Sequence, residues 1–306
     1  MLPLIVFAVG LVLYNYEQDR RDASQRVIET VRSIRLVLDA EMQRMTGGLQ
    51  ILSLSNALRE RDFEGFRRIA SGFLEQYGKD GVVLVADRDG RQLFSSVIEN
   101  TASLALRNNR EIVEKVFATK TPQYSNLFIG AVKKRLIVTV EVPVFRDGEI
   151  VSVISFSPPT DIFQAIIEKQ RPNQDWTISI FDREAINFAR VPNPQDTVGK
   201  RASPTLYAAM FRIPEATLST VSLEGVPLIT SFARSSITGW TVAGGISESS
   251  LVGPLWRNLA ITSAIGGFLL LIGLAFAVRM ATTIARGEML HDLLIEELNH
   301  RVKNTL

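Results

Sequence analysis

The chain has 306 residues, 46% of them hydrophobic, with 34 basic against 32 acidic side chains and a net charge of +2. That balance gives no global field for nucleic acid or an acidic partner. The absence of cysteine excludes disulfides, thiolate catalysis and Cys-ligated metals. The two histidines, His291 and His300, both lie near the C-terminus, so no His-rich metal site is expected in the body of the chain.

Length suggests about two domains. Residues 1–16 open with an apolar run, Met1 to Leu13, followed by Tyr14 and Tyr16. It is read as a first transmembrane helix that begins before this chain does. A cleaved signal peptide is the other reading, but no small-residue cleavage site follows. From Glu17 to about Arg59 the pattern predicts one long helix. Val27, Val31, Ile34, Leu38, Met42 and Met45 recur at three- and four-residue spacing, with charges on the opposite face. Gly47-Gly48 is a point where that helix is expected to weaken or kink. Asp62 to Tyr77 predicts a second helix, with Gly78 as its stop. Residues 17–80 form this helical lead.

Sheet signals fill residues 81–160. Val82 to Asp87 and Arg91 to Ser96 flank Asp89-Gly90, a hairpin signal. A helix is expected around Asn108 to Ala118. Strands follow from Arg135 to Phe145 and Glu149 to Phe156, joined across Asp147-Gly148. In the first of them Leu136, Val138, Val140 and Val142 share one face; Arg135, Thr139 and Glu141 share the other. The pattern recurs about 95 residues on, in residues 161–255. Thr177 to Glu184 echoes Val82 to Asp89, and Val226 to Ala233 with Trp240 to Ile246 echoes the later hairpin. Two α/β modules in series are expected, each a small antiparallel sheet with helices on one side. Ala185 stands where Gly90 stood, so the second turn is expected to avoid the left-handed conformations glycine tolerates.

Asn258 to Val278 is free of charge for 21 residues, bracketed by Arg257 and Arg279. At 1.5 Å per residue that spans about 30 Å, the hydrocarbon thickness, and residues 257–279 are read as a transmembrane helix. Arg279 and Arg286 favour the following side as cytoplasmic. Residues 280–306 carry Leu290, Leu294, Leu298, Val302 and Leu306 four apart, one face of a helix that needs a partner. The fold class expected is α+β: two transmembrane helices, a long N-terminal helix leading into two antiparallel-sheet modules, and a C-terminal dimerisation helix. His300 sits off the apolar stripe. Taken alone it reads as a solvated surface residue, and so does His291.

Two resemblances extend this reading. Strand–Asp87-x-x-Gly90–strand, Val142-Pro143-Val144 before Asp147-Gly148, and Gly239-Trp240-Thr241-Val242, in that order, resemble the double Cache sensor domain over residues 17–255. That family has two PAS-like sheets, membrane-distal (here 81–160) and membrane-proximal (161–255), and the distal one usually binds a small ligand. The resemblance implies a pocket built by residues 81–157, with Tyr124, Arg135 and Thr139 as candidate contacts: an aromatic, a cation and a hydroxyl. Amino-acid-binding members use a Trp-Tyr pair in the distal module. No Trp precedes Trp176 here, so amino-acid sensing on that pattern is not implied.

Glu-Leu-Asn-His-Arg-Val-Lys-Asn-Thr-Leu, Glu297 to Leu306, resembles the phospho-acceptor box of the HWE subclass of sensor histidine kinases, in which a basic residue, here Arg301, follows the histidine. The resemblance implies that His300 is the phospho-acceptor and that Arg301, Lys303 and Asn304 complete the motif. It implies ATP and Mg²⁺ as cofactors, bound by a domain expected after Leu306. It also implies a cytoplasmic response regulator as partner and a bacterial inner-membrane location with the sensor outside the cytoplasm and the C-terminus inside it; the unpartnered apolar stripe implies a homodimer. No metal site in this chain and no nucleic-acid partner are expected. The alternatives are a chemoreceptor-like protein and a non-enzymatic, membrane-anchored ligand-binding protein.

Overall fold

The computed structural model describes residues 2–99, 104, 106–250, 260–261 and 263–284. It divides into two compact units, one of Leu13–Ser250 and one combining Met1–Val12 with Leu251–Leu306. In the second unit, Ser263–Ile284 is a helix of 22 residues with mean hydropathy 2.1, long and apolar enough to cross a membrane. It continues past Arg279, the expected boundary, and its apolar side chains, Phe268, Leu271 and Phe276 among them, are exposed. The expected C-terminal helix, with His291, His300, Arg301, Lys303 and Asn304, lies outside the described residues.

Helix α1 (Leu2–Ser53) is the spine of the large unit. Val27, Val31, Ile34, Leu38, Met42, Met45 and Leu49 are all fully buried. The stripe anticipated from spacing is thus the face that packs. The Gly47-Gly48 kink is not found: α1 runs unbroken through both. Gly48 serves a different purpose. A Cβ there would stand 2.4 Å from the Tyr77 hydroxyl oxygen, so its missing side chain is what admits the ring. A short helix, α2 (Asn56–Arg59), and α3 (Phe63–Tyr77) follow. Asp62 caps α3 by accepting from Gly65 N, and Gly78 ends it at φ +135°.

The first module contains β1 (Val82–Ala86), β2 (Gln92–Ser95), α4 (Arg110–Thr119), β3 (Gln123–Tyr124), β4 (Phe128–Ile129), β5 (Leu136–Ile137), β6 (Val140–Arg146) and β7 (Glu149–Ser157). Its five-stranded sheet has the order β2-β1-β7-β6-β3. The run expected as one strand from Arg135 breaks after Ile137. Its first part, β5, folds back on β4 as a separate two-stranded hairpin. Helix α5 (Thr160–Gln170) leads into the second module. That module contains β8 (Trp176–Phe181), β9 (Asn187–Val191), α6 (Pro194–Thr197), α7 (Pro204–Arg212), β10 (Glu215–Val221), β11 (Pro227–Arg234) and β12 (Thr241–Ser247). Its sheet order, read from the other edge, is β9-β8-β12-β11-β10, which repeats the first strand for strand.

From β1 to the start of α4 the 95-residue offset holds to the residue; along the later strands it shortens. The lone bridge Arg91↔Leu106 recurs as Ile186↔Arg201. The bond from Arg107 N to Gly90 O (3.0 Å) recurs from Ala202 N to Ala185 O (2.9 Å). Ala185 does not avoid the left-handed region; it takes φ +60°. The Asp182 carboxylate holds it there by accepting from Glu184 N and Ile186 N, both at 2.9 Å. These bonds offset the cost of roughly 1–2 kcal/mol that a Cβ incurs in that conformation.

Both modules dock on α1. A Cβ on Gly244 would lie 2.9 Å from Val31 Cγ2. Ser235 Oγ donates to Asp39 at 2.5 Å, and the hydroxyls of Thr46 and Tyr124 bond at 3.0 Å. Trp240, fully buried, joins the modules: its indole N–H donates to Ser125 O at 3.0 Å and its ring packs on Tyr124, Phe163 and Phe188.

Adjacent glycines in α1 should therefore respond in opposite ways. Gly47→Ala, with open space around it, should stabilise the chain by about 0.5–1 kcal/mol from helix propensity. Gly48→Ala should destabilise it by about 1–3 kcal/mol through overpacking on Tyr77. Thermal unfolding of the two variants, followed by circular dichroism, checks the contrast.

Candidate functional site

One face of the first sheet packs on α3, where Phe73 meets Phe156 edge to face at 5.0 Å. The opposite face carries a small pocket. Its floor is Val82, Leu84, Thr139 and Ser157; its rim is Arg107, Asn108 and Asn109 at the entry to α4. The β4–β5 hairpin closes it with Phe128, Gly130, Lys133, Arg135 and Ile137.

At the base of the pocket lies a buried ion pair. Arg107 and Glu141 have side-chain exposures of 3% and 0%. Arg107 Nη1 donates to Glu141 Oε2 at 2.9 Å and Nη2 donates to Oε1, a two-pronged pairing. Thr139 Oγ1 donates to Glu141 Oε1 at 2.7 Å, and Ser155 bonds both members of the pair. A carboxylate removed from water this completely persists only when its oxygens are saturated, and here four donated bonds reach them.

Around that satisfied centre, several polar atoms have no hydrogen-bond partner among the described residues: both side-chain atoms of Gln92, which is 7% exposed, Nδ2 of Asn109 and Nε of Arg135. All three residues line the pocket. Buried polar atoms in folded proteins are almost always bonded, so these donors and this acceptor are candidate binding groups of the pocket. They can receive a small polar molecule through a carboxamide, a second amide donor and a guanidinium edge.

Of the residues expected from sequence, Arg135 and Thr139 come together in this pocket. Arg135 also donates to Asp80 O at 3.1 Å, fixing the hairpin's base. Tyr124 lies outside the pocket lining, in the contact between α1 and Trp240. Burial raises the Tyr124 phenol's pKa, with the Thr46 hydrogen bond opposing it. Sequence reasoning missed Gln92, Arg107, Asn109 and the closing hairpin. A signal for Arg107 was present in the repeat. By register, Glu141 opposite Ser155 corresponds to Phe232 opposite Ala243, and Arg107 corresponds to Ala202. The second module fills those three positions with apolar residues of its buried core. A charged pair where the duplicate is apolar marks a local role.

No family model matches the chain, and no curated protein matches it. Solved structures do share its fold. An extracellular ligand-binding receptor from Desulfohalobium retbaense aligns with TM-score 0.57 and 16% identity over 72% of this chain, which spans 40% of the receptor chain. The ligand-binding domain of Mlp24, solved with asparagine, aligns with TM-score 0.58 and 14% identity over 78% of this chain and 98% of its own. The extracellular domain assigned to the histidine kinase soHK1S-Z6 gives 0.57 and 12% over 78% and 99%. The large unit therefore shares the fold of these extracellular domains.

Arg107→Ala should cost about 3–5 kcal/mol, because it strands Glu141 as an unpaired buried charge. The triple change Arg107→Ala, Glu141→Phe, Ser155→Ala, which copies the second module, should recover more than half of that loss. Denaturant melts of the two variants test this; a triple variant no more stable than the single one contradicts the account.

Proposed function

We propose that this chain is the sensing, membrane-spanning and phospho-acceptor portion of a bacterial inner-membrane histidine kinase of the HWE type. A small polar ligand binds in the first, membrane-distal module. The observation that carries the ligand reading is the set of unpartnered polar atoms on Gln92, Asn109 and Arg135 around one pocket. The shared fold with extracellular ligand-binding domains supports it. The apolar helix Ser263–Ile284 supports membrane anchoring, and in this reading the first apolar segment, residues 1–16, is a second span.

The kinase reading rests on the residues Glu297 to Leu306. An imidazole nitrogen of His300 attacks the γ-phosphorus of ATP and ADP leaves; the phosphoryl group then passes to an aspartate of a response regulator. Arg301, Lys303 and Asn304 complete the box. ATP and Mg²⁺ are held by a further domain, where Mg²⁺ offsets the charge of the transferring phosphate. The stripe Leu290, Leu294, Leu298, Val302 and Leu306 pairs with a second copy in a homodimer. Ligand shifts the balance of two sensor states only through unequal affinity for them.

The test uses the full-length protein in membranes with radiolabelled ATP. His300→Gln should abolish labelling, and Gln92→Leu should leave basal labelling intact while removing its response to ligand. Label retained in His300→Gln overturns the kinase assignment. A full-length gene that encodes a glutamate-rich coiled coil after the span in place of an ATP-binding domain supports the chemoreceptor alternative; one that ends at Leu306 supports the membrane-anchored binding protein.

A further inference from the structure

The second module repeats the pocket as well as the sheet. A small cavity lies on the same face, lined by Thr177, Ser179 and Ser203 among others. These stand 95 residues after Val82, Leu84 and Asn108 of the first pocket. The chemistry has been exchanged. The first pocket's Arg107 and Glu141 correspond to Ala202 and Phe232, while the second pocket gains its own arginine, Arg190, at the position of Ser95. Two apolar floor positions, Val82 and Leu84, have become the hydroxyls Thr177 and Ser179.

Arg190 is nine-tenths buried in the pocket wall, and its Nε has no partner among the described residues. Its Nη2 donates to both oxygens of Glu224 at 2.8 Å. Glu224 differs from Glu141 in a decisive way. It sits on the β10–β11 turn with its side chain 38% exposed, and Arg190 is its one ion-pair partner among the described residues. Glu141 is locked by Thr139 and Ser155; Glu224, at the surface, can leave Arg190 when another carboxylate takes its place. The pocket also receives the start of α7, a nine-residue helix whose first turn follows Ser203, and free N–H groups there favour negative charge. Leu206, Leu228 and Ala243 supply apolar wall.

We propose that the second module holds a second ligand site, for a small organic monocarboxylate with a short chain. The carboxylate pairs with Arg190 in exchange for Glu224, and the Thr177, Ser179 and Ser203 hydroxyls bond its oxygens. The site is independent of the first pocket, so the chain reads two chemically different molecules.

The experiment is calorimetric titration of the whole chain in lipid nanodiscs with sodium acetate, propionate and glycolate, ionic strength held constant with sodium chloride. At least one acid should give saturable binding. Arg190→Gln should weaken it by about tenfold or more, as loss of a charge-assisted hydrogen bond does. Glu224→Gln, on an exposed turn, should tighten it by about threefold or more by removing the competing carboxylate. Gln92→Leu should leave it unchanged. Lack of saturable binding by all three acids overturns the proposal. So does binding that Gln92→Leu abolishes, which puts the acid in the first pocket. Should Arg190→Gln fail to fold, Glu224→Gln decides alone, and unaltered affinity in it overturns the site.

Discussion

One helix face carries the large unit. The apolar stripe of α1 from Val27 to Leu49 is buried along its whole length, and it is buried against two modules in succession. The second module meets it at Val31 and Asp39 through Gly244 and Ser235. The first meets it at Thr46 and Gly48 through Tyr124 and Tyr77. A strand-rich module of under a hundred residues has little core of its own, because small domains bury a modest share of their surface. One long helix meets the second sheet directly at Gly244 and the first module through Tyr124 and, by way of α3, Tyr77. It leaves the other face of each free to become a pocket.

That division of labour explains why the duplicated modules could diverge in chemistry while keeping their backbone. The face toward the helices, α3 for the first sheet and α1 for the second, must stay apolar and complementary in shape. The pocket face faces no such demand, and it is there that Arg107, Glu141 and Ser155 in one module stand against Ala202, Phe232 and Ala243 in the other. A buried ion pair contributes little net stability over an apolar replacement of similar volume. Its presence in one copy alone is therefore better explained by what it positions. It fixes the start of α4, and with it Asn108 and Asn109, against the central strands of the sheet.

Much of the fold was legible because it rests on local rules. The i, i+3, i+4 stripe of α1, the Asp62 cap, the Gly78 stop and the Asp147-Gly148 turn at positive φ all follow from residues close in sequence. Helix α5, which the sequence reading passed over, carried the same kind of signal in Phe163, Ile166 and Ile167. The readings that failed were those in which a distant partner overrode the local preference. Gly48 looked like a helix breaker, but Tyr77, 29 positions on, uses the space it leaves. Ala185 looked unfit for a left-handed turn, but Asp182 holds it there. Strand β10 was missed because Glu215–Val221 is mostly half-buried or exposed and alternates weakly as an edge strand.

The sequence by itself determined much of the order of elements, the repeat of about 95 residues, the presence of an apolar helix near residues 257–279 and the histidine motif at Glu297 to Leu306, because periodicity, turn chemistry and contiguous motifs are properties of neighbours along the chain. The tertiary structure alone decided which polar residues meet. Gln92, Arg107, Arg135 and Glu141 are scattered over some fifty positions, and Arg190 and Glu224 over more than thirty. Only sheet pairing and hairpin closure bring them together. Their desolvation, on which the chemistry of both pockets depends, is a property of the packed molecule and not of any segment of it.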